Sequence, residues 1–119
     1  MNNGIKVTLL GGAGHVGKSC FLLEVNGFRI LLDCGMQMNE TSIKGIPSFE
    51  IIQNDMNELD NISAILITHT HLDHCGALPY VTEVLKYEGP IFMSYPTKAL
   101  FPLLMHNFMY ISCHPNLRQ

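Results

Sequence analysis

Two apolar segments of strand length flank Asn26-Gly27, and this arrangement restricts the possible folds more than any other feature of the sequence. A two-residue type I′ turn needs positive φ at both central positions, which Asn and Gly adopt with little strain. The segments 20–25 and 28–33 are therefore predicted to form a β-hairpin. A further strand is predicted at 5–10, where β-branched and apolar residues precede a glycine-rich stretch.

The glycine-rich stretch Gly12–Ser19, "GAGHVGKS", matches the phosphate-loop pattern G-x-x-x-x-G-K-[ST]. A phosphate loop opens a helix, whose N-terminal amides hold the phosphates. Here the predicted hairpin follows instead, and Gly27 would weaken a helix running through it. We therefore predict a glycine-rich turn that leads Lys18 and Ser19 into a strand, and we keep nucleotide binding through this loop as an alternative.

The rest of the chain alternates between predicted strands and helices. The predicted elements are a long polar loop with one helical turn at 34–61, a buried strand at 63–68, a helix at 75–89, a strand at 90–95 and a helix at 96–111. Gly89 is predicted to end the first helix. Pro96 and Thr97 open the second helix, which Pro102 is predicted to kink or to delay. This order is typical of an α/β fold in which helices cover a mixed sheet.

Composition indicates one folded domain without a basic surface for nucleic acid. The chain has 119 residues, is 47% hydrophobic and carries a net charge of −3. A domain of this size buries roughly two-thirds of the surface that its unfolded chain exposes. We expect no secretory leader, since the first residues show no apolar segment of that kind, and no apolar run nears the ~18 residues of a membrane span. The cysteines form no C-x-x-C pair and are interpreted as reduced, intracellular thiols, mostly in the core: Cys20, Cys34, Cys75 and Cys113.

Potential metal ligands are densest directly after the buried strand, at His69, His71, Asp73 and His74. In an extended chain His69 and His71 point to the same side, while Asp73 and His74 lie where the chain turns into the predicted helix. Because imidazole and carboxylate are ordinary zinc ligands, we predict a metal site that could hold two ions. Asp33 could orient one of these histidines. The isolated histidines are predicted to be ordinary surface residues: His15, His106 and His114.

The pattern H-x-H-x-D-H after a buried strand resembles the metallo-β-lactamase superfamily. The segments "LLDCGM", "DHCGALPY" and "EGPIFMSYPTKAL" are similar to its β-CASP branch of nucleic-acid-cleaving enzymes. Within that branch they most resemble the endonucleases of the Integrator complex, and those of cleavage and polyadenylation specificity factor are a close second. The segment "LGGAGHVGKSC" resembles their glycine-rich turn, with Gly12 and Ala13 interchanged. The resemblance covers about residues 7–104 and implies the N-terminal half of an αββα sandwich.

The same resemblance implies a zinc-dependent RNA endonuclease. It would place one zinc on His69 and His71 and a second on Asp73 and His74, with Asp33 and Asp73 as catalytic residues. Asp33 would support the histidine ligands. The two metal ions would activate water for attack on an RNA phosphodiester. The resemblance also implies RNA and other subunits of an RNA-processing complex as partners, no membrane, and the nucleus, with the cytoplasm as a further location.

The later motifs of that family, which supply two further histidines and a shared aspartate, are not found in the sequence, nor is the inserted β-CASP domain. We therefore expect a partial metallo-β-lactamase domain at 1–110 and a divergent tail at 111–119. The chain would then be an incomplete fragment that is inactive alone. A non-catalytic, truncated relative that at most binds a partner is the alternative. In either case we expect an open apolar sheet face and an open edge strand.

Overall fold

A five-stranded mixed sheet carries the protein's core, in the order β1-β2-β3-β4-β5. The computed structural model describes residues 4–12, 14, 17–37, 45–53, 56, 59 and 61–113. The elements are β1 (Ile5–Gly11), β2 (Cys20–Val25), β3 (Phe28–Leu32), β4 (Ala64–Leu66), α1 (Leu72–Cys75), α2 (Leu78–Glu83), β5 (Ile91–Phe92) and α3 (Tyr95–Cys113). β1, β2 and β3 are antiparallel, whereas β4 pairs in parallel with β3 and β5. The predicted mixed α/β fold is confirmed.

The β2–β3 hairpin turns at Asn26 and Gly27, whose φ angles of 50° and 82° are both positive. This confirms the predicted turn. β2 begins at Cys20, so Lys18 and Ser19 lead directly into a strand, as predicted. A phosphate loop leads into a helix, but this glycine-rich stretch leads into strand β2. The structure therefore does not support nucleotide binding through Gly12–Ser19.

The helix predicted at 75–89 is shorter in the structure, where α1 ends at Cys75 and α2 covers only Leu78–Glu83. Lys86 adopts a positive φ of 60°, and the amide of Tyr87 donates to the carbonyl of Val81 at 3.1 Å. These contacts turn the chain away before Gly89, so the prediction that Gly89 ends the helix is wrong. A side chain at Gly89 would overlap the ring of Tyr87, so glycine makes room for that ring.

The last helix, α3, begins at Tyr95 and contains Pro102, so the predicted late start at Pro102 is wrong. The hydroxyl of Ser94 accepts a hydrogen bond from the amide of Thr97 at 3.4 Å, which is the capping contact that favours an earlier start. The predicted division at residue 110 lies within α3 and stays a prediction. Among the described helices, none combines the length and the apolar character of a membrane-spanning segment.

The core lies on one face of the sheet, beneath α2. Leu22, Leu31 and Ile65 come from three neighbouring strands and are completely or almost completely buried. Val81 and Leu85, from α2 and the turn that follows it, belong to the same cluster. This packing holds β3 and β4 side by side, and the chain that follows each of these two strands carries the predicted site residues.

The opposite face of the sheet is apolar and is left largely uncovered by the described part of the chain. The strand register aligns apolar residues across the sheet in three rows: Leu9, Phe21, Leu32, Leu66 and Phe92; Val7, Leu23, Ile30 and Ala64; and Ile5, Val25 and Phe28. Leu9, Leu66 and Phe92 are 54%, 38% and 56% exposed. We call these twelve residues the uncovered sheet face. It agrees with the predicted open apolar face.

We expect Val7→Lys to lower self-association of the chain with little change in its stability. Val7 is 54% exposed on the uncovered sheet face and lies in edge strand β1. A lysine there opposes both face stacking and edge pairing, while an exposed substitution changes stability by only about 0.5 kcal/mol. Sedimentation velocity at several concentrations measures the association. Leu103→Lys, on the exposed surface of α3, is the matched control; an equal decrease in both variants would contradict a special role for the sheet face.

Candidate metal centre

Parallel pairing of β3 with β4 brings the predicted site residues together at one edge of the sheet. Asp33 directly follows β3, and the histidine-rich loop follows β4 and enters α1. The amide of Asp33 donates to the carbonyl of Leu66 at 2.8 Å, which ties the end of β3 to the end of β4. The ends of these two paired strands therefore position the histidine-rich loop.

His69, His71 and Asp73 form a compact group of possible metal ligands. One nitrogen or oxygen atom from each lies within 4.8 Å of the other two. The ring of His74 lies beside that of His69, with 4.0 Å between their centroids, and its Nε2 is 3.4 Å from Oδ2 of Asp73. The structure thus brings all four predicted ligands together, and Asp73 lies near His69 and His71 as well as beside its predicted pair partner His74.

Asp33 is the buried anchor of this site, with only 6% of its surface exposed. Its Oδ1 accepts a hydrogen bond from the amide of Thr68 at 2.8 Å. Its Oδ2 lies 3.0 Å from the hydroxyl of Thr68 and 2.8 Å from Nδ1 of His74. Asp33 therefore holds His74 through one ring nitrogen and leaves Nε2 available to a metal, which is the arrangement predicted for a carboxylate that orients a ligand.

Thr68 belongs to the site although sequence reasoning did not select it. Its hydroxyl lies 2.9 Å from Nδ1 of His69 in addition to its contact with Asp33. The only local signal is its position, since Thr68 is a hydroxyl residue between a buried strand and the first histidine. The contact with Asp33 joins residues that are 35 positions apart in the chain.

Backbone hydrogen bonds join the segment after β3 to the ligand loop. The amide of Cys34 donates to the carbonyl of His74 at 2.8 Å, and the amide of Ser19 donates to that of Asp73 at 3.0 Å. A side chain at Gly35 would overlap the carbonyl oxygen of Asp73. Glycine at this position therefore permits the close approach of the two segments. The hydrogen bonds then hold the backbone of two predicted ligands, Asp73 and His74, against the segment after β3.

Residues 13–112 match the family model of the metallo-beta-lactamase superfamily. The chain belongs to this superfamily. The resemblance predicted from "THTHLDHCG" and its neighbouring segments is confirmed. Members of the superfamily generally bind zinc.

Similar proteins include Integrator complex subunit 11 of Danio rerio, 44% identical over 108 residues, and cleavage and polyadenylation specificity factor subunit 3-II of Arabidopsis thaliana, 49% identical over 105 residues. Endoribonuclease YSH1 of Eremothecium gossypii is 35% identical over 103 residues. These matches cover 91%, 87% and 87% of this chain but 18%, 17% and 13% of the relatives. The chain thus spans less than a fifth of the length of these curated relatives.

The crystal structure of human tRNase Z, short form, shares the fold. It aligns with a TM-score of 0.52 at 22% sequence identity. The alignment covers 85% of this chain and 38% of that structure. The predicted architecture, a mixed sheet with covering helices related to metallo-β-lactamases, is therefore confirmed.

Three buried thiols lie near the ligand loop of this superfamily member: Cys20, Cys34 and Cys75. Their burial confirms that they fill the core. Burial, followed by the nearby carboxylates of Asp33 and Asp73, raises the pKa of the Cys75 thiol to about 11. Burial and then the hydrogen bond with Cys20 raise the pKa of Cys34 well above its usual value. Cys34 and Cys75 are therefore neutral thiols at pH 7; the side chain of Cys113 lies outside the described structure.

The isolated histidines contribute no described ligand to the centre. His106 is exposed on α3, as predicted for a surface residue. His15 and His114 lie outside the described residues. The donors that can hold a metal in the described part of the chain are thus imidazoles and a carboxylate of one loop. This donor set fits zinc, and the partial exposure of His69 and Asp73 leaves room for an ion to enter.

Proposed function

We propose that the chain supplies part of the catalytic centre of a zinc-dependent RNA endonuclease that hydrolyses phosphodiester bonds in RNA 3′-end processing. The observation that carries this proposal is the compact group of His69, His71 and Asp73, with His74 held beside it by Asp33. The names of the relatives support the substrate and the process, since one is an endoribonuclease and another belongs to a cleavage and polyadenylation factor.

His69 and His71 would hold one zinc ion, and Asp73 and His74 a second. Zinc, when bound, would lower the pKa of a bound water toward ~7 and offset charge on the phosphate oxygens. Asp73 adjoins all three histidines, so its carboxylate would act closest to the reacting atoms. Asp33, which was predicted as catalytic, would act by holding His74 in place, because its carboxylate is buried and already engaged in hydrogen bonds.

Two protein ligands for each zinc are fewer than the three that a catalytic zinc site usually keeps. We infer that the 119 residues are inactive alone and act as part of a longer protein, in which further ligands complete the centre. The fraction of the relatives that the chain matches, 13–18%, is compatible with this inference. Other subunits of an RNA-processing complex would be its partners, and the nucleus its main location, with the cytoplasm as a further one.

A non-catalytic product that binds a partner protein is the second candidate function. The uncovered sheet face favours it, because a broad apolar surface beside an open edge strand suits association. Zinc binding separates the two candidates, since partner binding through the sheet does not need the histidine-rich loop.

Zinc retention by the 119-residue chain tests the proposed centre. After equilibrium dialysis we expect the wild-type chain to retain zinc and His71→Ala to bind it more weakly, because one imidazole donor is lost. The decrease should be at least the ~10–100-fold that loss of a partner orienting a ligand typically causes. His106→Ala removes an exposed imidazole of α3 and should behave like the wild type. Equal zinc retention by the wild type and His71→Ala would refute metal binding through this loop and favour the non-catalytic alternative.

A further inference from the structure

The hydroxyl of Thr68 lies between two groups with different hydrogen-bonding capacities. Its Oγ1 is 3.0 Å from Oδ2 of Asp33 and 2.9 Å from Nδ1 of His69. A carboxylate can only accept, whereas a hydroxyl has one proton to donate and lone pairs with which to accept. The hydroxyl of Thr68 therefore donates to Asp33 and accepts from His69. This direction requires a hydrogen on Nδ1 of His69.

The same carboxylate acts directly on His74. Nδ1 of His74 is 2.8 Å from Oδ2 of Asp33, so this nitrogen also donates. In their neutral forms both rings then carry the hydrogen on Nδ1 and keep the lone pair on Nε2. Asp33 thus sets the tautomer of His74 by direct contact and that of His69 through Thr68.

We propose that Thr68 is a positioning residue that holds His69 in the Nδ1–H tautomer and so makes Nε2 its metal-binding nitrogen. The functional meaning of this assignment rests on the proposed zinc centre, but the hydrogen-bond chain belongs to the metal-free protein. The amide of Thr68 donates separately to Oδ1 of Asp33 at 2.8 Å. A change of the side chain alone therefore removes the link to His69 while the backbone contact stays.

Thr68→Val and Thr68→Ser test this role. Valine keeps the shape of threonine without its hydroxyl, whereas serine keeps the hydroxyl. Histidine-selective nitrogen NMR spectra of the metal-free chain report which ring nitrogen carries the hydrogen. We expect His69 to be the Nδ1–H tautomer in the wild type and in Thr68→Ser, and to shift toward Nε2–H in Thr68→Val.

Zinc affinity, measured by competition with a chromophoric chelator, provides the second readout. Partners that orient a histidine ligand typically change metal affinity by about 10–100-fold, so we expect a decrease within this range for Thr68→Val and recovery with Thr68→Ser. Thr68→Ala, which also lacks the hydroxyl, takes the place of Thr68→Val if the valine variant does not fold.

His74 is the internal reference, because its bond to Asp33 does not pass through Thr68. Its Nδ1 should keep its hydrogen in every variant, whatever the nearby carboxylate of Asp73 does at Nε2. The proposal is overturned if His69 keeps its tautomer in Thr68→Val, if Thr68→Ser changes as much as Thr68→Val, or if His74 changes equally. Absence of zinc binding in the wild type would refute metal binding by this segment but not the role of Thr68, since the tautomer is measured without metal.

Discussion

Asp33→Asn should weaken zinc binding by about 10–100-fold and lower the free energy of unfolding by about 3 kcal/mol. The buried carboxylate has two acceptor oxygens and meets three donors, which are the amide and hydroxyl of Thr68 and Nδ1 of His74. Asparagine has one acceptor oxygen, and its NH₂ group would face at least one of these donors. Urea unfolding with a chelator present measures stability, and chelator competition measures zinc affinity.

Asp73→Asn is the matched control for this substitution. Asp73 is half-buried, and its carboxylate lies at the ligand group rather than in the buried hydrogen-bond network. We expect this variant to lose zinc affinity with less than about 1 kcal/mol of destabilisation, because surface contacts of carboxylates contribute little to stability. If Asp33→Asn unfolds at the same urea concentration as the wild type, Asp33 does not anchor the site.

The four predicted ligands that the structure brings together have a local sequence signal. His69, His71, Asp73 and His74 occur within six positions after an apolar strand, so spacing alone places them together. The Asn-Gly turn is equally local, since the two residues themselves have the conformations that a type I′ turn requires. The same turn predicts the β2–β3 hairpin. Because β2 follows Ser19 directly, this hairpin also excludes the helix that a phosphate loop requires.

Apart from the contact of Asp33 with His74, the features that depend on contacts between distant segments do not show in the sequence. Thr68 meets Asp33 across 35 positions, and Gly35 meets the backbone of Asp73, so neither has a local pattern that reveals its role. The helix predicted at 75–89 ends early because Lys86 leaves the helical conformation, which helical spacing does not show. The role of Gly89 likewise depends on its neighbour in space, the ring of Tyr87, which the sequence pattern does not show.

Gly35→Ala should lower the free energy of unfolding by about 3 kcal/mol, near the upper end for a side chain forced into a filled site. The new Cβ would overlap the carbonyl oxygen of Asp73. Backbone hydrogen bonds hold both segments, since the amide of Gly35 donates to the carbonyl of Ser19 at 2.9 Å and that of Cys34 to the carbonyl of His74. Relief of the overlap therefore breaks these bonds and displaces Asp73 and His74, so zinc affinity should fall with stability.

Gly27→Ala separates this steric effect from the ordinary cost of replacing a glycine. Gly27 lies at the other end of β3 and has a positive φ, but a Cβ there would meet no atom within 4 Å. Its replacement should cost about 1–2 kcal/mol through left-handed strain alone and leave zinc affinity unchanged. Gly35 does not have a left-handed φ, so Gly35→Ala adds no strain of this kind. Any loss of zinc affinity in this variant must therefore come from the contact with the ligand loop. Wild-type zinc affinity in folded Gly35→Ala would mean that Asp73 and His74 keep their positions without this close backbone approach.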